Sequence, residues 1–228
     1  MKIHGLEKLS LVDFNNLTCA TVFTGHCNFR CPFCHNAALV LDPASQPLLD
    51  EDEVLAYLKK RQGLLDGVCI TGGEPTLDRG LADFIDRVKA LGYRVKLDTN
   101  GTRPDVLREL VESKRVDYVA MDVKNSLAKY GVTAGVADTA AVEQSIAYLL
   151  TDPVEYEFRT TLVNEFHTEA DIVDIAKTIA GADAYYLQHF VDSGELIDGC
   201  GLSEIPKKRA EEYAERASLY VPTQVRGH

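Results

Sequence analysis

Six short apolar runs rich in β-branched residues alternate with amphipathic helical patterns along most of the chain. The apolar runs predict strands at 18–24, 68–71, 94–99, 117–123, 155–163 and 185–190. The patterns between and after them predict helices at 50–67, 77–91, from 104 onward, and at 139–150, 168–180 and 206–219, with a loop at 131–135. Asp50, three positions before Glu53, predicts an N-terminal cap, and Gly92 predicts a C-terminal cap. Residues 3–13 predict an N-terminal hairpin or edge strand. Six strand-then-helix units predict parallel strands joined by right-handed crossovers.

Two α/β architectures accommodate such units, an open doubly wound sheet and a barrel. Polar motifs follow the carboxyl ends of the predicted strands, which form the catalytic face of a barrel, so their position favours the barrel. A length of 228 residues suits one domain. Within it we expect an N-terminal extension at 1–17, a barrel at 18–190 and a C-terminal loop and helix at 191–228.

The composition argues against several classes of partner. A net charge of −11 disfavours direct binding of nucleic acid or of an anionic membrane. No apolar run has the length of a membrane span and the first residues lack a signal-peptide core, so we expect a cytoplasmic protein. In that reducing compartment, Cys19 and Cys69 are predicted to be small core residues, and Cys200 a surface thiol without function.

Three further cysteines are clustered in the loop that follows the first of these six strands. Cys27, Cys31 and Cys34 are separated by four and three positions. A structural zinc site needs four protein ligands, and the local candidate for the fourth is His35. It is adjacent in sequence to Cys34, and adjacent side chains seldom point at one ion in tetrahedral geometry. Three thiolates suit a four-iron cluster that keeps one iron open. A zinc site and a group of buried thiols remain the alternatives.

The stretch from Gly25 to Asn36, GHCNFRCPFCHN, resembles the signature of the radical S-adenosylmethionine (radical SAM) superfamily. Its CPFCHN ending resembles the glycyl-radical-enzyme activases within it. The resemblance implies a partial (β/α)6 TIM-like barrel and a [4Fe-4S] cluster on Cys27, Cys31 and Cys34. It also implies that the amino and carboxylate groups of S-adenosylmethionine occupy the open iron.

A second motif, Gly72-Gly73-Glu74-Pro75, follows the next of these strands. Paired glycines are often just a turn, but they also let the backbone approach a ligand closely. The motif resembles the Gly-Gly-Glu-Pro of the same superfamily and occurs in the same order after the cysteine loop. The resemblance implies that Gly72, Gly73 and Glu74 bind the amino group of the methionine part of the cofactor.

Two polar groups follow the third and fourth of these strands. Asp98-Thr99-Asn100 and Asp122-Val123-Lys124 could be a turn and a solvated strand end, but both resemble pocket motifs of the activases. The resemblance implies that Asp98, Thr99 and Asp122 lie near the methionine carboxylate, with a bound monovalent cation as a further component. It implies that Lys124 brings positive charge to that carboxylate and that Asn100 belongs to the same pocket.

Three residues of the last two of these strands complete the predicted site. Arg159 is a charge in an apolar strand, so it must face a ligand or pair with an acid such as Glu157 or Asp122; we favour the pocket. Gln188 and His189 stand where the activases place a polar residue that contacts the cofactor. A hydrogen-bonded histidine at a strand end is the equally simple interpretation of His189.

Two positions depart from the family pattern. Asn15-Asn16 stands where many relatives have Pro-Gly, and Gly25-His26 precedes the first cysteine of the loop. A glycine motif that many members have on the fifth of these strands is not evident. These departures leave the adenine and ribose contacts undetermined.

The resemblance implies an oxidoreductase that cleaves S-adenosylmethionine reductively and forms a glycyl radical on a partner enzyme. Flavodoxin or ferredoxin is the implied electron donor. The compact length and the start Ser10-Leu11-Val12-Asp13-Phe14 resemble the activases of anaerobic ribonucleoside-triphosphate reductase, with pyruvate formate-lyase activase as the alternative. A zinc-stabilised binding module and a plain iron–sulfur electron carrier are the hypotheses in which the chain is not an enzyme.

Overall fold

The structure is a computed structural model that describes residues 1–192 and 194–227. Residues 193 and 228, which belong to the predicted C-terminal segment, lie outside these ranges. One eight-stranded sheet organises the chain. Its strands are β1 Ile3–Ser10, β2 Cys19–Thr24, β3 Gly67–Gly72, β4 Arg94–Thr99, β5 Tyr118–Asp122, β6 Glu155–Leu162, β7 Tyr185–His189 and β8 Thr223–Arg226.

The strands stand in the sheet in their order along the chain. All neighbouring strands from β2 to β8 are parallel, whereas β1 pairs antiparallel with β2. Strand β1 lies at the edge of the sheet, within the segment 3–13 that was predicted to form a hairpin or an edge strand. A doubly wound sheet would reverse its order at a switch point, so the sequential order confirms the barrel. Within the described residues no backbone ladder joins β1 to β8, and the barrel is therefore partial.

Helices connect the parallel strands. They are α1 Ala37–Leu41, α2 Glu51–Lys60, α3 Leu81–Ala90, α4 Pro104–Glu112, α5 Tyr130–Ala134, α6 Ala140–Leu149, α7 Glu169–Thr178 and α8 Lys207–Ala217. Outward-facing strand residues such as Ile70 and Leu97 pack in one core with helix residues such as Phe84 and Leu107. The opposite face of the strands carries buried polar side chains, and this concave face forms the site.

The ends of α2 and α3 follow from side-chain caps and glycine geometry. The Asp50 carboxylate accepts hydrogen bonds from the backbone N–H groups at the start of α2, as its position predicted. Gly92, with φ of 87°, follows α3 and donates its backbone N–H to Lys89 O, which confirms the predicted cap. The predicted extent of α2 to Gly67 is wrong, because the chain turns through Gly63, with φ of 77°, and Gly67 already begins β3.

Three other elements differ from the predictions. A separate 3₁₀ turn at Pro75–Leu77 precedes α3, which therefore begins at Leu81 rather than at residue 77. Between the turn and the helix, Asp78 Oδ1 accepts a hydrogen bond from the backbone N–H of Gly80. The segment predicted as a loop at 131–135 is largely helical, because α5 extends from Tyr130 to Ala134. Strand β8 was missed because its four residues alternate too briefly to form a recognisable pattern; its register against β7 holds it in the sheet.

None of the helices in the described ranges combines the length and apolar character needed to cross a lipid bilayer.

Candidate cofactor site

The cysteine loop leaves the carboxyl end of β2 and packs against the end of β3. Cys31 is 6% exposed, and Cys27 and Cys34 are half-buried. The backbone N–H of Phe29 lies 3.4 Å and Asn100 Nδ2 3.8 Å from Cys27 Sγ, so two N–H groups are directed at that sulfur. All three thiols line one pocket of about 180 Å³.

The glycine pair after β3 is required by the close approach of this loop. A Cβ atom on Gly73 would lie 1.8 Å from the carbonyl oxygen of His26, and one on Gly72, whose φ is 116°, 2.4 Å from Thr24 backbone atoms. Asn36 Nδ2 donates to Gly72 O at 2.8 Å. The sequence Gly72-Gly73 therefore fixes the cysteine loop against the sheet, whatever else it binds.

The next residue, Glu74, joins three motifs through its carboxylate. Oε1 accepts hydrogen bonds from Thr76 N, from Thr76 Oγ1 and from Thr99 Oγ1 at 2.8 Å, and Oε2 accepts one from Asn100 N at 2.6 Å. Burial raises the pKa of Glu74, and these hydrogen bonds act in the opposite direction. The carboxylate thus holds the turn after β4 in place beside the cysteine loop.

A network of alternating charges crosses the concave face next to this pocket. Arg159 donates from Nε to Asp122 Oδ1 at 2.9 Å and from its terminal nitrogen to Asp98 Oδ2 at 3.1 Å. Lys124 Nζ lies 2.9 Å from Asp122 Oδ2, and Lys96 Nζ lies 3.3 Å from Asp98 Oδ1. Each of the four carboxylate oxygens therefore has a cationic nitrogen beside it.

The protonation states follow from burial and from these pairs. Burial would raise the pKa of Asp122, but the charges of Arg159 and Lys124 outweigh it and lower the pKa to about 2. Burial would lower the pKa of Lys124, but Asp122 above all raises it. Burial raises the pKa of Cys31 to about 12, partly countered by Lys124, so metal binding by this thiol releases a proton.

The backbone of Lys124 is held on both sides by buried residues. Its N–H donates to the hydroxyl oxygen of Tyr130 at 3.1 Å, and its carbonyl oxygen lies 2.9 Å from His167 Nε2. His167 Nδ1 accepts from Val163 N at 3.0 Å, which assigns the proton to Nε2. Burial lowers the pKa of His167, so the neutral ring serves as a fixed donor.

The structure brings most of the predicted site residues together. The pocket is lined by the three cysteines and by Gly72, Gly73, Glu74, Asp98, Thr99, Asn100, Asp122 and Lys124. Arg159, Gln188 and His189 instead line a neighbouring cavity of about 650 Å³. The guanidinium of Arg159 pairs with Asp122, one of the two predicted acids, and with Asp98 rather than with Glu157.

Glu157 is the centre of a second polar cluster at this neighbouring cavity. It is fully buried and accepts hydrogen bonds from Tyr118 Oη at 2.9 Å and from Asn15 Nδ2 at 2.8 Å. Arg226 of β8 donates to Glu157 Oε1 at 3.2 Å and to Asn15 Oδ1 at 3.2 Å. Side chains therefore join the loop after β1 to the last strand. His189 Nε2 lies 3.0 Å from Glu204 Oε2 at the rim.

Sequence reasoning missed several residues of this face. Thr161 lines the cysteine pocket, and Lys96, which is 2% exposed, pairs with Asp98. Both could have been found from strand alternation, because Thr161 is two positions after Arg159 and Lys96 two before Asp98. Phe29 and Phe33 also line the pocket, but nothing in a loop sequence indicates which way they face.

The two departures from the family pattern have a backbone explanation. Asn16 has φ of 58° and His26 has φ of 61°, both in the left-handed region. Asparagine adopts this conformation more readily than most residues, so Asn16 supplies the turn that glycine makes in Pro-Gly. His26 is held there by hydrogen bonds from its N–H to Leu39 O and from Glu74 N to its carbonyl oxygen.

The donor set fits an iron–sulfur cluster better than a single zinc ion. Within the described ranges, no three His, Cys, Asp or Glu side chains are close enough together to hold one metal ion. His35 Nε2 is 2.8 Å from Val191 O, and its ring stacks on Phe190 at an interplanar angle of 8°. Three spaced thiols with this histidine engaged elsewhere match a cluster with three protein ligands.

A monovalent cation does not fit between the two aspartates. A hard cation needs oxygen ligands that are free to coordinate it. Three of the four oxygens of Asp98 and Asp122 accept hydrogen bonds from Arg159 or Lys124. Asp98 Oδ1 accepts none, but it lies 3.3 Å from Lys96 Nζ.

Comparisons with known proteins agree with this geometry. Residues 21–151 match the Radical SAM superfamily. A Methanocaldococcus jannaschii protein named "Putative glycyl-radical enzyme activating enzyme MJ1227" is 35% identical over 231 residues, covering 98% of this chain and 94% of that protein. The 7-carboxy-7-deazaguanine synthase of Koribacter versatilis is 27% identical over 170 residues, 72% of this chain and 70% of that enzyme.

Solved structures of low sequence identity share the fold. Streptococcus suis SuiB bound to its precursor peptide SuiA superposes with a TM-score of 0.72 at 14% identity, covering 91% of this chain. This chain spans about half, 48%, of the SuiB chain. A domain of a pyruvate-formate lyase-activating enzyme from Bacteroides vulgatus gives 0.57 at 17% identity, covering 71% of this chain and 99% of that domain.

The fold and the pocket define a partial-barrel protein that presents three thiols and a polar cradle at the carboxyl ends of its strands. The chain belongs to the Radical SAM superfamily, whose members use a [4Fe-4S] cluster and S-adenosylmethionine.

Proposed function

We propose that this protein is an activase that uses S-adenosylmethionine to form a glycyl radical on a partner enzyme. One observation carries the proposal: the three thiols and the polar residues after β3, β4 and β5 line the same pocket. The relative named as a glycyl-radical enzyme activating enzyme aligns over 98% of the chain, against 72% for the deazaguanine synthase. The activase is therefore the better-supported function.

Each group in the pocket has a role in this proposal. The Cys27, Cys31 and Cys34 thiolates would hold a [4Fe-4S] cluster with three protein ligands, to which the cofactor would bind. Lys124, fixed by Asp122, brings positive charge to the cofactor carboxylate. The N–H groups near Cys27 Sγ withdraw electron density from that sulfur, which favours the reduced state of the centre.

When bound, a [4Fe-4S] cluster and S-adenosylmethionine would supply the radical chemistry that removes a hydrogen atom from a glycine Cα, with flavodoxin or ferredoxin as the one-electron donor. The chain's residues orient the cofactor and limit water. Phe29, Phe33 and Val40 form the apolar part of the pocket wall. The neighbouring cavity between the loop after β1 and β8 receives the glycine-bearing segment of the partner.

We propose anaerobic ribonucleoside-triphosphate reductase as the partner, with pyruvate formate-lyase as the alternative. The test is anaerobic incubation of the reconstituted, reduced protein and S-adenosylmethionine with each candidate. A glycyl-radical doublet in the paramagnetic resonance spectrum of the reductase supports the proposal. A doublet with formate-lyase alone overturns this partner, and failure to form 5′-deoxyadenosine with any partner overturns the activase.

Two controls separate the hypotheses in which the chain is not an enzyme. A zinc module would purify anaerobically as a colourless protein with zinc, and an electron carrier would show a reduced-cluster signal that S-adenosylmethionine leaves unchanged. Cys31→Ala should abolish cofactor cleavage, whereas Cys200→Ala should not, because Cys200 is an exposed thiol outside the pocket.

A further inference from the structure

The two aspartates beside the pocket already have a cation between them, and it belongs to the protein. The guanidinium of Arg159 bridges Asp122 Oδ1 at 2.9 Å and Asp98 Oδ2 at 3.1 Å. The remaining oxygens lie beside Lys124 Nζ and Lys96 Nζ. Asp98 Oδ1 accepts no hydrogen bond, but the other three oxygens do, so a bound K⁺ or Na⁺ would have to displace a nitrogen to gain a second aspartate ligand.

The buried cations of this network are already matched by acids. Arg159, Lys96 and Lys124 lie beside Asp98 and Asp122, and Lys96 Nζ also lies 4.0 Å from Glu157 Oε1. Arg159 is 8% and Lys96 2% exposed, so water screens these charges poorly. A further cation between the two aspartates would lie close to the guanidinium and be repelled by it.

Strand register fixes the guanidinium in this position. Arg159 on β6 is directly opposite Asp122 on β5, and Asp98 is on the next strand, β4. Lys96 Nζ also donates a hydrogen bond of 2.5 Å to the carbonyl oxygen of Asp13, which fixes the position of the ammonium group. The arrangement is therefore part of the sheet rather than a mobile surface contact.

The geometry points to Arg159 as a built-in counter-cation: its guanidinium takes the place of a dissociable monovalent cation, and the protein binds S-adenosylmethionine without K⁺ or Na⁺. This inference rests on the proposed function in placing the cofactor carboxylate beside Asp122 and Lys124. Arg159 is a positioning residue in this account, because it acts through the two aspartates.

The test compares wild type with Arg159→Gln at matched ionic strength in potassium chloride and in tetramethylammonium chloride. The first readout is the dissociation constant of S-adenosylmethionine for the reconstituted protein. We expect the wild-type constant to change by less than about twofold between the salts, since only general screening applies. For Arg159→Gln we expect binding to weaken about tenfold or more without K⁺ and to recover with K⁺, because unpaired buried carboxylates then bind the ion.

The second readout needs neither cluster nor cofactor. The melting temperature of cluster-free Arg159→Gln should rise by about 2–4 °C or more in potassium chloride, since an ion bound to the folded state stabilises it. The wild type should show no such difference. Millimolar guanidinium should replace K⁺ for the variant. Arg159→Lys keeps a positive charge and should remain independent of K⁺.

Arg115→Gln is the matched control. Arg115 also lies between two carboxylates, 2.9 Å from Asp86 and 3.6 Å from Glu109, but this group is at the surface. Because water and salt screen an exposed pair, removing Arg115 should not create a K⁺ effect.

The outcomes separate this inference from the proposed function. Tighter cofactor binding or a higher melting temperature of the wild type in K⁺ overturns the inference, as does a folded Arg159→Gln that ignores K⁺. If the variant does not fold, the wild-type comparison decides by itself. A wild type that binds no S-adenosylmethionine overturns the proposed function, while the melting temperatures still decide the role of Arg159.

Discussion

Glu74 Oε2 accepts a hydrogen bond of 2.6 Å from the backbone N–H of Asn100, and this contact joins the motif after β3 to the motif after β4. The same carboxylate also accepts hydrogen bonds from Thr76 and Thr99. Asn100 Nδ2 in turn lies 3.8 Å from Cys27 Sγ, so Glu74 helps to position the cysteine loop through Asn100. Its carboxylate has a supporting role that its place in a Gly-Gly-Glu-Pro motif does not reveal.

Replacing Glu74 by glutamine should therefore destabilise the protein. The new amide would place a donor against the existing donors, at a cost of about 1–3 kcal/mol. Chemical denaturation of the cluster-free protein measures the loss. The matched control is Glu112→Gln, an exposed position on α4, which should change the free energy of unfolding by less than about 0.5 kcal/mol. Equal effects of the two substitutions would contradict the supporting role.

The ion pairs of Asp122 predict an acid-dependent loss of stability. Its pKa falls from 3.8 to about 2 on folding, so the pairs stabilise the native state above pH 4 and are lost as the pH falls toward 2. A shift of this size corresponds to about 2 kcal/mol. The difference in unfolding free energy between wild type and Asp122→Asn should shrink by about this amount from pH 5 to pH 2. A pH-independent difference would show that Asp122 is not paired as described.

Gly73→Ala should displace the cysteine loop. A Cβ at this position would overlap the carbonyl oxygen of His26, and backbone cannot move aside as a flexible side chain can. We expect a loss of about 1–3 kcal/mol and a reduced iron content after reconstitution. Gly131→Ala, where the nearest atoms are 3.9 Å away, should retain both stability and iron. Full iron binding by Gly73→Ala would mean that the loop does not depend on this contact.

The cysteines should divide into two groups on metal reconstitution. Cys27→Ser and Cys34→Ser remove thiols that line the pocket, so each should lower bound iron strongly. Cys200→Ser, at an exposed position, should leave iron content unchanged. Iron and sulfide assays with the visible spectrum measure both. A large loss on replacing Cys200 would require a ligand set that includes this thiol.

Local patterns in the sequence predicted the alternating elements and the strand ends where the site residues gather. Gly92 and Asp50 interact with backbone groups only a few positions away in sequence, so their capping roles could be inferred without the fold. The partners of Arg159 could not, because they depend on the register of three strands. The sequence allowed Glu157 as its acid, but the strand register places Arg159 opposite Asp122, and Glu157 accepts a hydrogen bond from Arg226 instead. Contacts between side chains on different strands can be assigned only when the register of the strands is known.

In the part of the chain that the structure describes, side-chain hydrogen bonds join the loop after β1 to the last strand of the sheet. Asn15, Glu157 and Arg226 connect the loop after β1 to β8, where no backbone ladder exists within the described residues. Widening this seam breaks a few polar contacts and leaves every strand pairing intact. In the proposed function, this seam is the place where a partner protein far larger than the enclosed space enters at the side of the barrel without local unfolding.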